Sequence, residues 1–157
     1  MNKKNSGFSL VELIVVIAIM AVLVGVLAPA YLKYVEKSRK SADLDTLDGL
    51  VKAAETVCTD DDYEDWVSTG GKFTITNATG TVSFSYADAT DANSAWAEVA
   101  NATSGKIKLK SKVAKKGTDT LVGELLASGA IQWKVTASSG ILGDKTATNF
   151  KNKLNNT

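Results

Sequence analysis

The chain has 157 residues, of which 22% are charged, with a formal net charge of +1, one cysteine and no histidine. That length leaves room for one modest domain beside a membrane anchor, and the near-neutral balance gives no global argument for a nucleic-acid or acidic-surface partner. Without histidine, and with Cys58 alone, thiolate metal sites and Cys/His catalysis are excluded, no cofactor is implied, and no intramolecular disulfide can form.

Residues 7–34, GFSLVELIVVIAIMAVLVGVLAPAYLKY, follow a short leader that carries Lys3 and Lys4. From Leu13 to Leu32 no residue is charged, which meets the roughly 18 or more residues expected of a membrane-spanning helix. A secretory signal core is shorter, about 7 to 15 residues, and ends at a small-residue cleavage site. Near the start of the run stands one carboxylate, Glu12. In lipid it costs about 2.5 to 3.5 kcal/mol at mid-helix and less near the interface, so it is expected to have a partner. A cut between Gly7 and Phe8 would create one: an ammonium one helical turn before Glu12, on the same chain or on a neighbouring copy.

The order Gly7, Phe8, Ser9, Leu10, Val11, Glu12 after a lysine-bearing leader resembles the processing motif of prepilins. The run to about Arg39 resembles the N-terminal helix of type IV pilins and pseudopilins, a likeness that spans about a quarter of the chain. The resemblance implies that prepilin peptidase removes residues 1–7 after Gly7 at the cytoplasmic face, that the new amine of Phe8 is methylated, and that Glu12 pairs with the amine of a neighbouring subunit. It also supplies the orientation, N-terminus inside and the rest outside. Charge counting opposes that orientation, because Lys33, Lys37, Arg39 and Lys40 outnumber Lys3 and Lys4. Many type IV pilins close a C-terminal loop with a disulfide, and this chain departs from that pattern.

Beyond Pro29 the run turns amphipathic. Leu44, Leu47, Val51, Ala54 and Cys58 recur three and four apart, while Lys52 and Glu55 fall off that face. The spacing predicts one helix from Phe8 to about Cys58, roughly 75 Å long at 1.5 Å per residue. Its first half would have only lipid or other copies to cover it. Pro29 cannot donate to the carbonyl of Gly25, and glycine is itself a poor helix former, so the turn from Gly25 to Pro29 is the weakest of the helix. It is either a plain kink or, as the resemblance suggests, a hinge that yields on assembly.

The acidic run Asp60, Asp61, Asp62, Glu64 and Asp65 does not have the spacing of a calcium loop and reads as a solvated turn, with no metal. After Gly70 and Gly71, Phe73 and Ile75 alternate with threonines, a turn falls at Asn77 to Gly80, and Val82, Phe84 and Tyr86 alternate with serines to complete a hairpin. Two further strands are expected at Ile107 to Val113 and Ile131 to Thr136. Helices are expected over 91–103, over 118–127 with Thr118 as cap and Gly129 as stop, and over 144–154 with Phe150 and Leu154 one turn apart. Trp66, Trp96 and Trp133 read as core, and Cys58 as an inert packing residue.

Lys106, Lys108, Lys110 and Lys112 fall on one face of the expected third strand, with Lys115 and Lys116 behind. Lysine there commonly guards against edge-to-edge pairing; the alternative is a patch for DNA or another anionic surface. Asn77, Asn101 and Asn155 begin tripeptides that fit the glycan-acceptor pattern, which a chain so rich in Asn, Ala and Thr would equally produce by chance.

The expected fold is therefore α+β: a long N-terminal helix, membrane-spanning in its first half, packed by its second half against a four-stranded antiparallel sheet. The expected segments are a leader over 1–7, a membrane and filament-core half over 8–34, and a globular head over 35–157. By resemblance the chain is a structural subunit that performs no catalysis. It would polymerise into a helical filament through the pilus assembly machinery, moving from the cytoplasmic membrane to an extracellular pilus. Adhesion, motility or DNA uptake would be properties of the fibre, and a pseudopilin of a type II secretion or competence system shares the same N-terminal pattern.

Overall fold

The computed structural model describes residues 8–58, 71–87, 106–126 and 130–155. The chain divides into two units, Met1–Lys37 and Ser38–Thr157. One helix, α1, runs Leu10–Cys58 with Pro29 inside it. In the first unit its large apolar side chains are exposed without exception from Leu10 to Leu27, as are Tyr31, Leu32 and Tyr34. This is the one described helix long and apolar enough to cross a membrane.

The second unit is built on an antiparallel sheet of β1 (Lys72–Ala78), β2 (Thr81–Ala87), β3 (Thr118–Leu125) and β4 (Ile131–Ser138), in the order β2-β1-β3-β4. The α+β architecture of a long apolar N-terminal helix and a four-stranded antiparallel sheet is consistent with the pilin fold. β1 and β2 are joined by a two-residue turn, Thr79 at φ 52° and Gly80 at φ 90°. Positive φ at both positions matches the right-handed twist of a hairpin, and the Gly80 N–H donates to Asn77 Oδ1 at 2.9 Å.

One face of the sheet is dry. Phe73 and Ile75 from β1, Val82 and Phe84 from β2, Leu121 and Leu125 from β3, and Ile131 and Trp133 from β4 are buried in one cluster with Leu47, Leu50, Val51 and Ala54 of α1. The expected seam of the helix is thus the packed one, with Leu50 added and Leu44 half-buried at its margin. Phe73 lies at the centre, stacked on Phe84 at 5.7 Å and edge-on to Trp133 at 4.9 Å. Such pairs contribute about 0.5 to 1.5 kcal/mol beyond the area they bury.

Two expected elements are corrected. Residues 118–125 form β3, not a helix. Leu121, Val122, Leu125 and Leu126 mimic helical spacing, but the inward positions are Asp119, Leu121, Gly123 and Leu125, and two of these carry no apolar side chain. Residues 107–113 form no ladder strand: a single bridge joins Lys108 to Thr81. The short helix α2 (Lys112–Lys116) then begins, with the Ser111 side chain accepting from the Ala114 N–H. The alternation of the segment is nonetheless real, since Leu109 and Ser111 are buried and Ile107 is half-buried.

The C-terminal segment forms 3-10 turns at Ile141–Gly143 and Lys145–Ala147 and the helix α3 (Thr148–Leu154), which buries Phe150 and Leu154. The readings of Gly7, of the acidic run from Asp60 to Asp65, of Trp66, of the helix over 91–103 with Trp96, and of Asn101 lie outside the described residues, as do the side chains of Cys58 and Tyr86.

Candidate functional site

At the start of α1, the Leu13 N–H donates to the Ser9 carbonyl at 3.2 Å, making Ser9 the capping residue. The Ser9 N–H donates in turn to Glu12 Oε2 at 3.0 Å. Glu12 thus reaches back over the end of the helix, as the third-position carboxylate of a capping box does, and satisfies a donor that has no partner within the helix. A negative charge is also favoured there by the helix dipole. Ser9 is the residue that the charge argument for Glu12 misses, although serine followed three positions later by glutamate is itself a readable signal. Phe8, just before the cap, is 89% exposed.

Gly25 has open space where a side chain would be, and α1 continues as helix through Gly25 and Pro29. The lysines stand in the other unit, where Lys106, Lys108, Lys110 and Lys112 are all exposed.

The head is organised by buried polar groups that no sequence motif announced. Asp43 on α1 accepts from the Lys110 N–H at 2.7 Å and from the Ser111 N–H at 2.8 Å, tying the lysine segment to the helix. Asp119 accepts from the Gly140, Ile141 and Leu142 N–H groups at 3.0, 2.8 and 3.0 Å. A fourth bond comes from Asn77 Nδ2 at 2.9 Å. Gly140 is required at this point, because a Cβ there would fall 2.3 Å from Asp119 Oδ2. Asn77 is 1% exposed, so the side chain that would carry a glycan is buried in the folded head.

Ion pairs complete the attachment of the C-terminal segment. Lys40 pairs with Asp144 at 2.7 Å, and Lys153 with Asp48 at 2.6 Å. The Lys40 ammonium, aided by the Thr146 N–H, holds the Asp144 carboxyl down at about 2. Hydrogen bonds from Lys153 and then Lys52 lower that of Asp48. A chain with one cysteine secures this segment by burial and charge instead of a covalent bridge.

A depression of about 180 Å³ lined by Leu126, Ile131, Gln132, Trp133, Leu154 and Asn155 offers no acid, base or nucleophile. Among the described residues no group of three His, Cys, Asp or Glu gathers as a metal site. The chemically distinctive place is therefore the capped start of an apolar helix. Residues 2–28 match the family model of the prokaryotic N-terminal methylation motif. The chain carries the type IV prepilin signature, shared by pilins and pseudopilins. No solved structure matches the chain. The prepilin signature ends within the first unit, and the head is known by its architecture alone.

Proposed function

We propose that this prepilin is the precursor of a structural subunit of a type IV pilus. The observation that carries the proposal is the methylation motif joined to an apolar helix whose side chains are exposed. A single copy leaves that surface to lipid, and a bundle of copies would cover it. Prepilin peptidase would cut after Gly7, and the amine of Phe8, then methylated, would stand one helical turn before Glu12. The carboxylate of one subunit and the ammonium of a neighbour would neutralise each other, offsetting the cost of charge in an apolar bundle and setting the stagger between copies.

In this proposal the precursor spans the cytoplasmic membrane once with its N-terminus inside, and the assembly machinery draws it into an extracellular filament. Gly25 and Pro29 mark the turn where α1 would yield during that transfer. The subunit itself performs no catalysis. The same signature opens pseudopilins of type II secretion and competence systems. The four-stranded head carried on residues 38–157 favours a surface fibre over a small competence pseudopilin.

Processing is tested by Gly7→Trp, which is expected to leave a membrane-held chain that retains residues 1–7. Normal maturation of that variant would contradict the proposed cut.

A further inference from the structure

We infer that Lys33 and Lys37 bind the phosphate headgroup of an anionic phospholipid where α1 leaves the membrane. The inference rests on the membrane-spanning reading of α1 given above. From Leu13 to Leu32 no residue is charged, so Glu12 and Lys33 are the charges that bound the apolar run. The helix carries them about 31 Å apart at about 1.5 Å per residue, against a hydrocarbon core of roughly 30 Å. With Glu12 at one boundary, Lys33 therefore stands at the other. Tyr31 and Tyr34 mark the same depth, because a tyrosine at a membrane surface buries its ring and wets its hydroxyl.

This part of the helix is open to a partner. Tyr31 and Tyr34 are 66% and 72% exposed, and Lys33 and Lys37 are exposed as well. Residues four apart stand one above the other on a helix, with about 5 to 6 Å between their Cβ atoms. The two ammonium groups can therefore close on one phosphate from the same side. Among the described residues neither enters an ion pair, whereas Lys40 is taken by Asp144. Glu36, the one acid from Tyr31 to Lys40, is half-buried while both lysines stand in the open. In the proposed orientation these cations lie on the translocated side, against the usual charge bias. A headgroup phosphate is the anion that a lone subunit meets at this depth, and it offsets that cost.

The test places the full chain in vesicles of equal parts phosphatidylcholine and phosphatidylglycerol. Spin-labelled forms of the two lipids report the fraction of each that the protein immobilises. Wild type is expected to hold phosphatidylglycerol in preference, and Lys33→Gln or Lys37→Gln each to lower that preference about fivefold. Lys33→Arg with Lys37→Arg should retain it. A control that removes the same charge from the head, Lys134→Gln with Lys145→Gln, is expected to stay within about twofold of wild type, since headgroup attraction fades within a Debye length. A chain stripped from the vesicles by alkaline extraction would contradict the spanning reading and the inference with it. A chain that stays but holds the two lipids equally, or equal losses in the control and in Lys33→Gln with Lys37→Gln, would overturn the inference alone. So would an unchanged lipid preference in that double variant accompanied by loss of cross-linked dimers, which would assign the two lysines to a second copy of the chain.

Discussion

Asn77 and Asp119 face each other across the pairing of β1 and β3, and both side chains point inward, joined by a 2.9 Å hydrogen bond. This pair binds the hairpin turn, through Asn77 Oδ1 and Gly80, to the C-terminal segment, through Asp119 and residues 140–142. Asp119→Ala would leave the N–H groups of Gly140, Ile141 and Leu142 without an acceptor and Asn77 Nδ2 with only the Ala114 carbonyl, at about 1 to 3 kcal/mol for each group left unsatisfied. A loss of about 3 kcal/mol or more is expected in urea unfolding of the full chain in detergent, followed by tryptophan fluorescence. An unchanged midpoint would show that the C-terminal segment is held by other means.

Gly123 is the partner of Phe73 in the same pairing. A Cβ at Gly123 would lie 2.1 Å from the Phe73 ring, so Gly123→Ala must displace an aromatic side chain from the middle of the core. The expected cost is about 1 to 3 kcal/mol. Combining it with Phe73→Leu should cost less than the two single changes together, because the smaller side chain vacates the contested space. Simple additivity would contradict the contact.

The difficulty of reading β3 has the same origin. β1, β2 and β4 are legible because an apolar side chain recurs at alternate positions along each, at Phe73 and Ile75, at Val82 and Phe84, and at Ile131 and Trp133, with the polar Asn77 coming only at the turn end of β1. In β3 two of those positions are filled by Asp119, which has a polar partner brought from β1, and by Gly123, whose missing side chain is replaced by the Phe73 ring. Neither partner is visible from local periodicity. The lysine segment shows the converse: its period of two is genuine, but its N–H groups go to Gly80 and Asp43, so it never becomes a ladder strand. The seam of α1 was readable because Leu44, Leu47, Val51 and Ala54 keep their spacing without interruption.

Acid should loosen the C-terminal segment in a defined window. The carboxyl of Asp144 is lowered from 3.8 to about 2 in the fold by Lys40 and Thr146. A depressed carboxyl contributes stability that is present above its unfolded value and is lost as pH falls through the folded one, here between about pH 4 and 2. The contribution is about 1 kcal/mol once the partial exposure of the pair is allowed for. Lys40→Met is expected to flatten stability across this window, as measured by urea midpoints at each pH. An unaltered pH profile in the variant would assign the acid sensitivity to other carboxylates.

Ser9 and Glu12 allow capping to be separated from charge. Glu12→Gln can keep the hydrogen bond to the Ser9 N–H, since glutamine also serves at this position of a capping box. Glu12→Val cannot. Both variants are expected to be inserted and cleaved, and both to assemble poorly, because the proposed role in assembly is the charge. Wild-type filament yield from Glu12→Gln, scored by electron microscopy of sheared fibres, would reduce Glu12 to a helix cap.

The central claim is that residues 1–7 are removed and that the apolar helix beginning at Phe8 is buried among its own copies in a long fibre. Mass spectrometry of the subunit from purified surface filaments tests it directly. The account predicts a mature chain that begins at N-methylated Phe8 as the main component of those filaments. Filaments built from chains that retain residues 1–7, or that begin at an unmodified residue elsewhere, would contradict it.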